Sequence, residues 1–144
     1  MKLPEPYTFF VDRALGSKAI PEALRAQGFR VEAHDDHFDQ KTKDVEWLTA
    51  IGARRWVILT KDSHIRRNEV EKKALLDAGV AAFMLGNANL SGLVMAGVFA
   101  KAMPRMQNVL RRYAPPIIAT VGTDAGVSVL YADSAWIKPP RRVK

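Results

Sequence analysis

The sequence predicts an α/β fold built on a mainly parallel sheet, on two observations. Short, fully apolar runs recur along the chain, and each is separated from the next by a stretch with helical periodicity and helix-capping residues. Apolar residues make up 48% and charged residues 26% of the 144 positions. That is the balance of a globular domain long enough to bury a core without staples.

The elements follow in order. "YTFFVD" (7–12) is apolar enough for a buried strand. "SKAIPEALRAQG" reads as a helix with Ser17 as N-cap, Ile20, Ala23 and Leu24 along one side, Pro21 tolerable in the first turn, and Gly28 as the stop. "FRVEAH" (29–34) alternates Phe29, Val31 and Ala33 as a strand does. "DVEWLTAIGA" sets Leu48 and Ile51 on one helical face, and "RWVILT" is the next apolar strand. "NEVEKKALLDAG" carries an Asn68…Glu71 capping box and ends at Gly79. "VAAFMLG" is the fourth strand. The long helical stretch "SGLVMAGVFAKAMPRMQNVLRRY" is expected to kink or split at Pro104. "IIATV" and "VSVLY", joined by "GTDAG", read as a hairpin. One domain over residues 1–132 is expected, followed by a basic C-terminal tail, 133–144, whose "WIKPPRRVK" reads as an extended arm.

Composition narrows the function classes. The chain has no cysteine, which excludes disulfides and thiolate metal sites. "MKLPEPYTFF" holds no secretory signal, and "LSGLVMAGVFAKAM", broken by Lys101, is too short to span a bilayer. A cytoplasmic protein without a membrane partner is therefore expected. The net charge of +7 is unevenly distributed. Residues 1–50 carry seven bases and nine acids, while residues 101–144 carry eight bases and two acids. An acidic site set in a basic body suits a polyanionic ligand, which such a body attracts by long-range steering and counterion release.

The acids fall in telling places. Asp12 ends the first strand, Asp35 and Asp36 follow the second, and Asp62 ends the third. In a parallel sheet those strand ends share one edge, where such folds build their sites. Asp44 opens the helix between strands two and three, close to its core-facing side. Gathered carboxylates repel, by roughly 4 kcal/mol for two unit charges about 4 Å apart at an effective dielectric of 20. A hard cation such as Mg²⁺ or Mn²⁺ removes that repulsion and suits phosphodiester hydrolysis by a cation-activated water. Asp12, Asp44 and Asp62 are thus the candidate catalytic and metal-holding residues. Glu46, Asp35 and Asp36 read first as surface charges, with Asp36 the one to complete the metal set. Arg66 and Arg67, before a helix start at Asn68, are candidates for RNA phosphate together with Arg13 and Lys61. Plainer readings stand beside these: a turn at Asp12, an N-cap at Asp44, an Asx-turn at Asp62, and a solvated helix entrance at Arg66 and Arg67. His34, His37 and His64 raise a zinc site, but His-x-x-His in a loop is a common accident.

"FFVDRALGS", "HDDHF", "DVEWL" and "VILTKD", in this order and spacing, resemble the PIN-like domain family, specifically its VapC-related toxin-like branch. The resemblance covers about residues 7–120. It implies a three-layer α/β/α sandwich and a Mg²⁺-dependent endoribonuclease, often the toxin of a toxin–antitoxin pair and often dimeric. Asp12 would match the family's first-strand acid, Asp44 its helix acid and Asp62 its third-strand acid. The sequence departs at His64, where many relatives carry another acid, and at Asn87 and Asn89 after strand four, which bring no charge. The rival reading is a catalytically degenerate PIN-like module that binds RNA or protein. A phosphoacceptor receiver lacks support, since "VDRA" and "IIATVGTD" supply neither its acidic pair nor its lysine.

Overall fold

The computed structural model describes residues 1–61, 68–86 and 89–144. Its elements are β1 (Thr8–Val11), α1 (Ala19–Ala26), β2 (Arg30–Ala33), α2 (Asp44–Arg54), β3 (Val57–Lys61), α3 (Glu69–Ala78), β4 (Ala81–Leu85), α4 (Gly92–Arg112), β5 (Ile117–Val121), β6 (Val127–Ala132) and β7 (Ala135–Val143). Among the described residues the strands form one sheet in the order β2-β1-β3-β4-β5-β6-β7. Strands β1 to β5 are parallel, and β6 and β7 return antiparallel.

Side-chain alternation along the strands builds the layers. Phe9, Val11, Val57, Leu59, Ala81, Phe83, Ile117 and Ala119 point to one face, into a core shared with α1 and α4. Phe10, Ile58, Ala82, Met84 and Ile118 point to the other, into a core shared with Trp47, Leu48 and Ile51 of α2 and Leu75 of α3. Both faces of β1, β3 and β4 are therefore covered, which is why their sequences read as continuous apolar runs rather than alternating ones. The result is the expected α/β/α sandwich around a mainly parallel sheet. Each large buried side chain contributes roughly 1.5–3 kcal/mol to holding it together.

Caps behave as chemistry requires. Asn68 Oδ1 accepts hydrogen bonds from the Val70 and Glu71 backbone amides at 3.0 and 3.3 Å, and Gly79 closes α3 in the left-handed conformation. Three expectations need correction. Lys18, not Ser17, holds the N-cap position of α1, which starts at Ala19. Helix α4 is not split at Pro104 but runs as one helix through it. Pro104 lies on the exposed side, and the buried side carries Phe99, Met103 and Met106, whose packing carries the helix past it. Finally, the basic tail is extended but not a free arm, since Ala135, Trp136 and residues 141–143 pair with β6 as the edge strand β7, the register shifting between the two paired stretches. Ile137 and Val143 pack against the α4-side core, and Arg141 donates to the Tyr113 hydroxyl at 2.7 Å. Pro139 and Pro140 are accommodated because they fall between the paired Trp136 and Arg141, where the β6–β7 register shifts and no ladder hydrogen bond is asked of them.

Helices α2 and α3 cross so closely at Gly52 that a methyl group there would run into the backbone carbonyl of Ala78. Gly52→Ala is expected to destabilise the protein by about 2–3 kcal/mol despite alanine's better helix propensity. Urea unfolding reads the change, and a Gly52→Ala protein as stable as the parent would contradict this packing.

Candidate metal and catalytic site

The chain runs from β1 outward to β2 and then back across to β3, so β1 and β3 flank a switch point at the carboxyl edge of the sheet. Asp12 sits there. Its backbone N–H bonds to the Leu59 carbonyl at 3.0 Å, continuing the β1–β3 ladder one residue beyond β1. That register puts Thr60 alongside it, and the Thr60 hydroxyl donates to Asp12 Oδ2 at 2.6 Å. The carboxylate is only 7% exposed. Burial pushes its pKa up, and the nearby charge of Asp44 pushes the same way; the Thr60 hydroxyl, the Ala14 amide and His34 pull it down. Asp12 is thus a buried acid that feels a second carboxylate, in surroundings that a cation would relieve.

Asp44 is the first residue of α2, with Lys43 at the N-cap position, so it is not itself the cap. Trp47, one turn on, donates its indole N–H to Asp44 Oδ1 at 2.9 Å. Arg13 Nη2 approaches the same oxygen at 3.5 Å. The Arg13 guanidinium also donates to the Thr42 carbonyl at 3.2 Å and to the Gln40 carbonyl. Arg13, the residue expected to meet RNA phosphate, here reaches the loop that delivers Asp44.

A second chain of contacts supports this loop. Gln40 Nε2 donates to Asp35 Oδ2 at 3.1 Å, and Asp35 Oδ1 lies 3.1 Å from His34 Nδ1. These bonds, His34 first and Gln40 next, hold the Asp35 carboxyl below its ordinary range. His34 is buried among Phe10, Phe38 and Trp47, and its Nε2 has no hydrogen-bond partner. His37 Nε2 meets Glu32 at 2.9 Å. The described histidines are therefore each paired with a carboxylate, and they do not form a zinc site.

Of the residues singled out from sequence, Asp12 and Asp44 are close enough for their charges to couple. Lys61 ends β3 at the same sheet edge, half-buried. Asp36 is exposed on the turn after β2. No group of three His, Asp or Glu residues able to hold a metal is assembled among the described residues. Asp62, Arg66 and Arg67 lie outside them, as do His64 and Asn87. Sequence reasoning missed Thr60 and Trp47. Both had a signal: Thr60 is a hydroxyl inside an apolar strand, and Trp47 stands three residues after an acid on one helical face.

Parallel strands whose carboxyl ends bear a buried acid, faced by a second acid on a helix N-terminus, define an α/β domain with an acidic site at its switch point. Residues 7–87 match the family model described as a PIN like domain, and the chain belongs to the PIN-like domain family. It is 31% identical over 125 residues to "Putative ribonuclease VapC45" of Mycobacterium tuberculosis (strain ATCC 25618 / H37Rv), an alignment covering 84% of this chain and 90% of the relative. No solved structure matches.

Proposed function

We propose that the protein is a Mg²⁺- or Mn²⁺-dependent endoribonuclease, the toxin of a toxin–antitoxin pair, acting in the cytoplasm on single-stranded RNA and held in check by a cognate antitoxin protein. The observation that carries this reading is the buried Asp12 carboxylate, fixed by Thr60 and charge-coupled to Asp44 at the sheet edge. Family membership and the ribonuclease name of the mycobacterial relative support it.

The donors fit a hard divalent cation, being carboxylate oxygens with no competing thiolate. Asp12, Asp44 and Asp62 would hold it, with Asp36 at the rim. Bound there, the cation supplies positive charge against the phosphodiester as it is cleaved. The chain's own residues do the positioning. Thr60 fixes Asp12, Trp47 and Arg13 aim Asp44, and Lys61, Arg66 and Arg67 hold the RNA backbone, leaving 5′-phosphate and 3′-hydroxyl ends. A homodimer is part of the proposal, with Leu93 and Val94, exposed on the first turn of α4, as its candidate contact.

End-labelled single-stranded RNA incubated with the purified protein tests the reading. Cleavage is expected with millimolar Mg²⁺ or Mn²⁺, to stop on addition of chelator, and to be lost in Asp62→Asn. Cleavage that persists in chelator, or in the Asp62→Asn protein, would refute the assignment. A protein that binds RNA without cleaving it in either metal is the degenerate module instead.

A further inference from the structure

On the α4 face of the three C-terminal strands, Ala119, Val121, Val127, Val129 and Ala132 are buried. On the opposite face of the same strands, Thr120, Ser128 and Tyr131 are half-exposed, while Trp136, Lys138 and Arg142 are exposed. This part of the sheet thus presents an open surface beside α3. Its apolar centre is an aromatic pair: Trp136, 42% exposed, meets Tyr131 edge-on at 5.0 Å. Lys72 of α3 places its ammonium 5.2 Å from the Trp136 ring centre. A cavity of about 320 Å³ opens there, with Leu130 and Pro140 in its walls and Lys72 and Lys138 at its sides.

We propose that this surface binds single-stranded RNA, one base stacking on Trp136 while Lys72, Lys138 and Arg142 meet phosphates. The proposal rests on the ribonuclease reading for its choice of polyanion and assigns that substrate a second contact area. Charge selects the occupant. Residues 133–144 carry four bases and one acid, and an exposed indole between cations matches the alternation of base and phosphate along a single strand. The local ion pairs do not close the surface. Arg142–Asp124 at 3.2 Å is solvent-exposed on both sides, and Lys72–Glu69 at 3.1 Å leaves Glu69 in solvent. A phosphate can replace either carboxylate at little cost.

Register ties this surface to the acidic site. Thr60, which holds Asp12, aligns with Met84, Met84 with Thr120, Thr120 with Ser128, and Ser128 with Arg142. Arg142 therefore lies on the same sheet row as the Asp12 anchor, four strand spacings or roughly 19 Å away. That span is about six stacked nucleotides at ~3.4 Å each, within reach of a 12-nucleotide RNA laid along the carboxyl edge of the sheet, since Met84 on the row itself is buried.

Fluorescence anisotropy of a labelled 12-nucleotide uridine RNA in chelator tests the proposal independently of cleavage. Trp136→Ala is expected to weaken binding roughly 5- to 100-fold, and Trp136→Phe to restore it to within about threefold. The Lys138→Ala, Arg142→Ala double variant should flatten the slope of log Kd against log salt by about 1.4, about 0.7 per phosphate contact. Trp136→Ala binding as tightly as the parent would overturn the inference. So would a Trp136→Ala protein that loses self-association on a sizing column with RNA affinity unchanged, which would make the surface a protein interface. Loss of binding in Trp136→Ala, beside a parent that never cleaves RNA, would sustain this inference while the nuclease reading falls.

Discussion

Asp12→Asn is expected to reduce metal-dependent RNA cleavage by on the order of 10³-fold or more, the loss of several kcal/mol of transition-state charge stabilisation. The same substitution should make the metal-free protein more stable. Burial, with the Asp44 charge adding to it, raises the Asp12 carboxyl above its ordinary 3.8, so the folded chain holds that proton more tightly than the unfolded chain. The stability linked to the proton is fully present below the unfolded pKa and is lost as pH rises through the folded one. As pH rises toward neutral the metal-free fold therefore loses that contribution. Asparagine removes the charge and keeps the polar contacts, its amide donating to the Thr60 hydroxyl and its carbonyl facing the Ala14 amide. Thermal unfolding in chelator reads the outcome, with about 2–4 °C in Tm for each kcal/mol regained. The gain should be seen at pH 7 and shrink toward pH 3.5. An Asp12→Asn protein that is equally destabilised at both pH values would contradict the electrostatic account.

The second large effect concerns Arg13. Its guanidinium joins the turn after β1 to the Gln40 and Thr42 carbonyls and to the Asp44 carboxylate. We propose it as a positioning group, holding the loop that carries the second acid to the first. Arg13→Ala should lower cleavage about 10- to 100-fold, the scale seen when the support of a metal ligand is removed. The metal concentration for half-maximal activity should rise with it. Arg13→Lys should not rescue, because one ammonium cannot reproduce a planar fork that reaches two carbonyls and a carboxylate. If metal dependence stayed unchanged while RNA affinity fell, Arg13 would be a phosphate ligand, as the sequence alone had led us to expect.

Much of this was legible in the sequence because the chemistry is local. Runs such as "VIL" and "AAFML" are apolar throughout since both faces of their strands are buried, and this marks a parallel sheet. Strand-ending aspartates mark its carboxyl edge. What stayed hidden depends on register and packing between distant segments. Nothing local says that Thr60 lies beside Asp12, because that pairing spans 48 residues and is set by the β1–β3 ladder. Arg13 looked like a free cation for the same reason; its partners lie 27 to 31 residues away. The C-terminal segment was misjudged because prolines and bases dominate its composition. The alternate residues Ile137 and Val143, which dock it, become informative only once β6 is in place. Pro104 does not split helix α4, which continues over the core on Phe99, Met103 and Met106.

The central claim is that Asp12, Asp44 and Asp62 share one hard divalent cation. Calorimetric titration of the metal-free protein with Mn²⁺ tests it most directly, comparing the parent with Asp12→Asn, Asp44→Asn and Asp62→Asn. Saturable binding by the parent at or below millimolar Mn²⁺, weakened at least tenfold in each variant, is the predicted result. No binding by the parent at millimolar metal, or the same affinity in all four proteins, would contradict it.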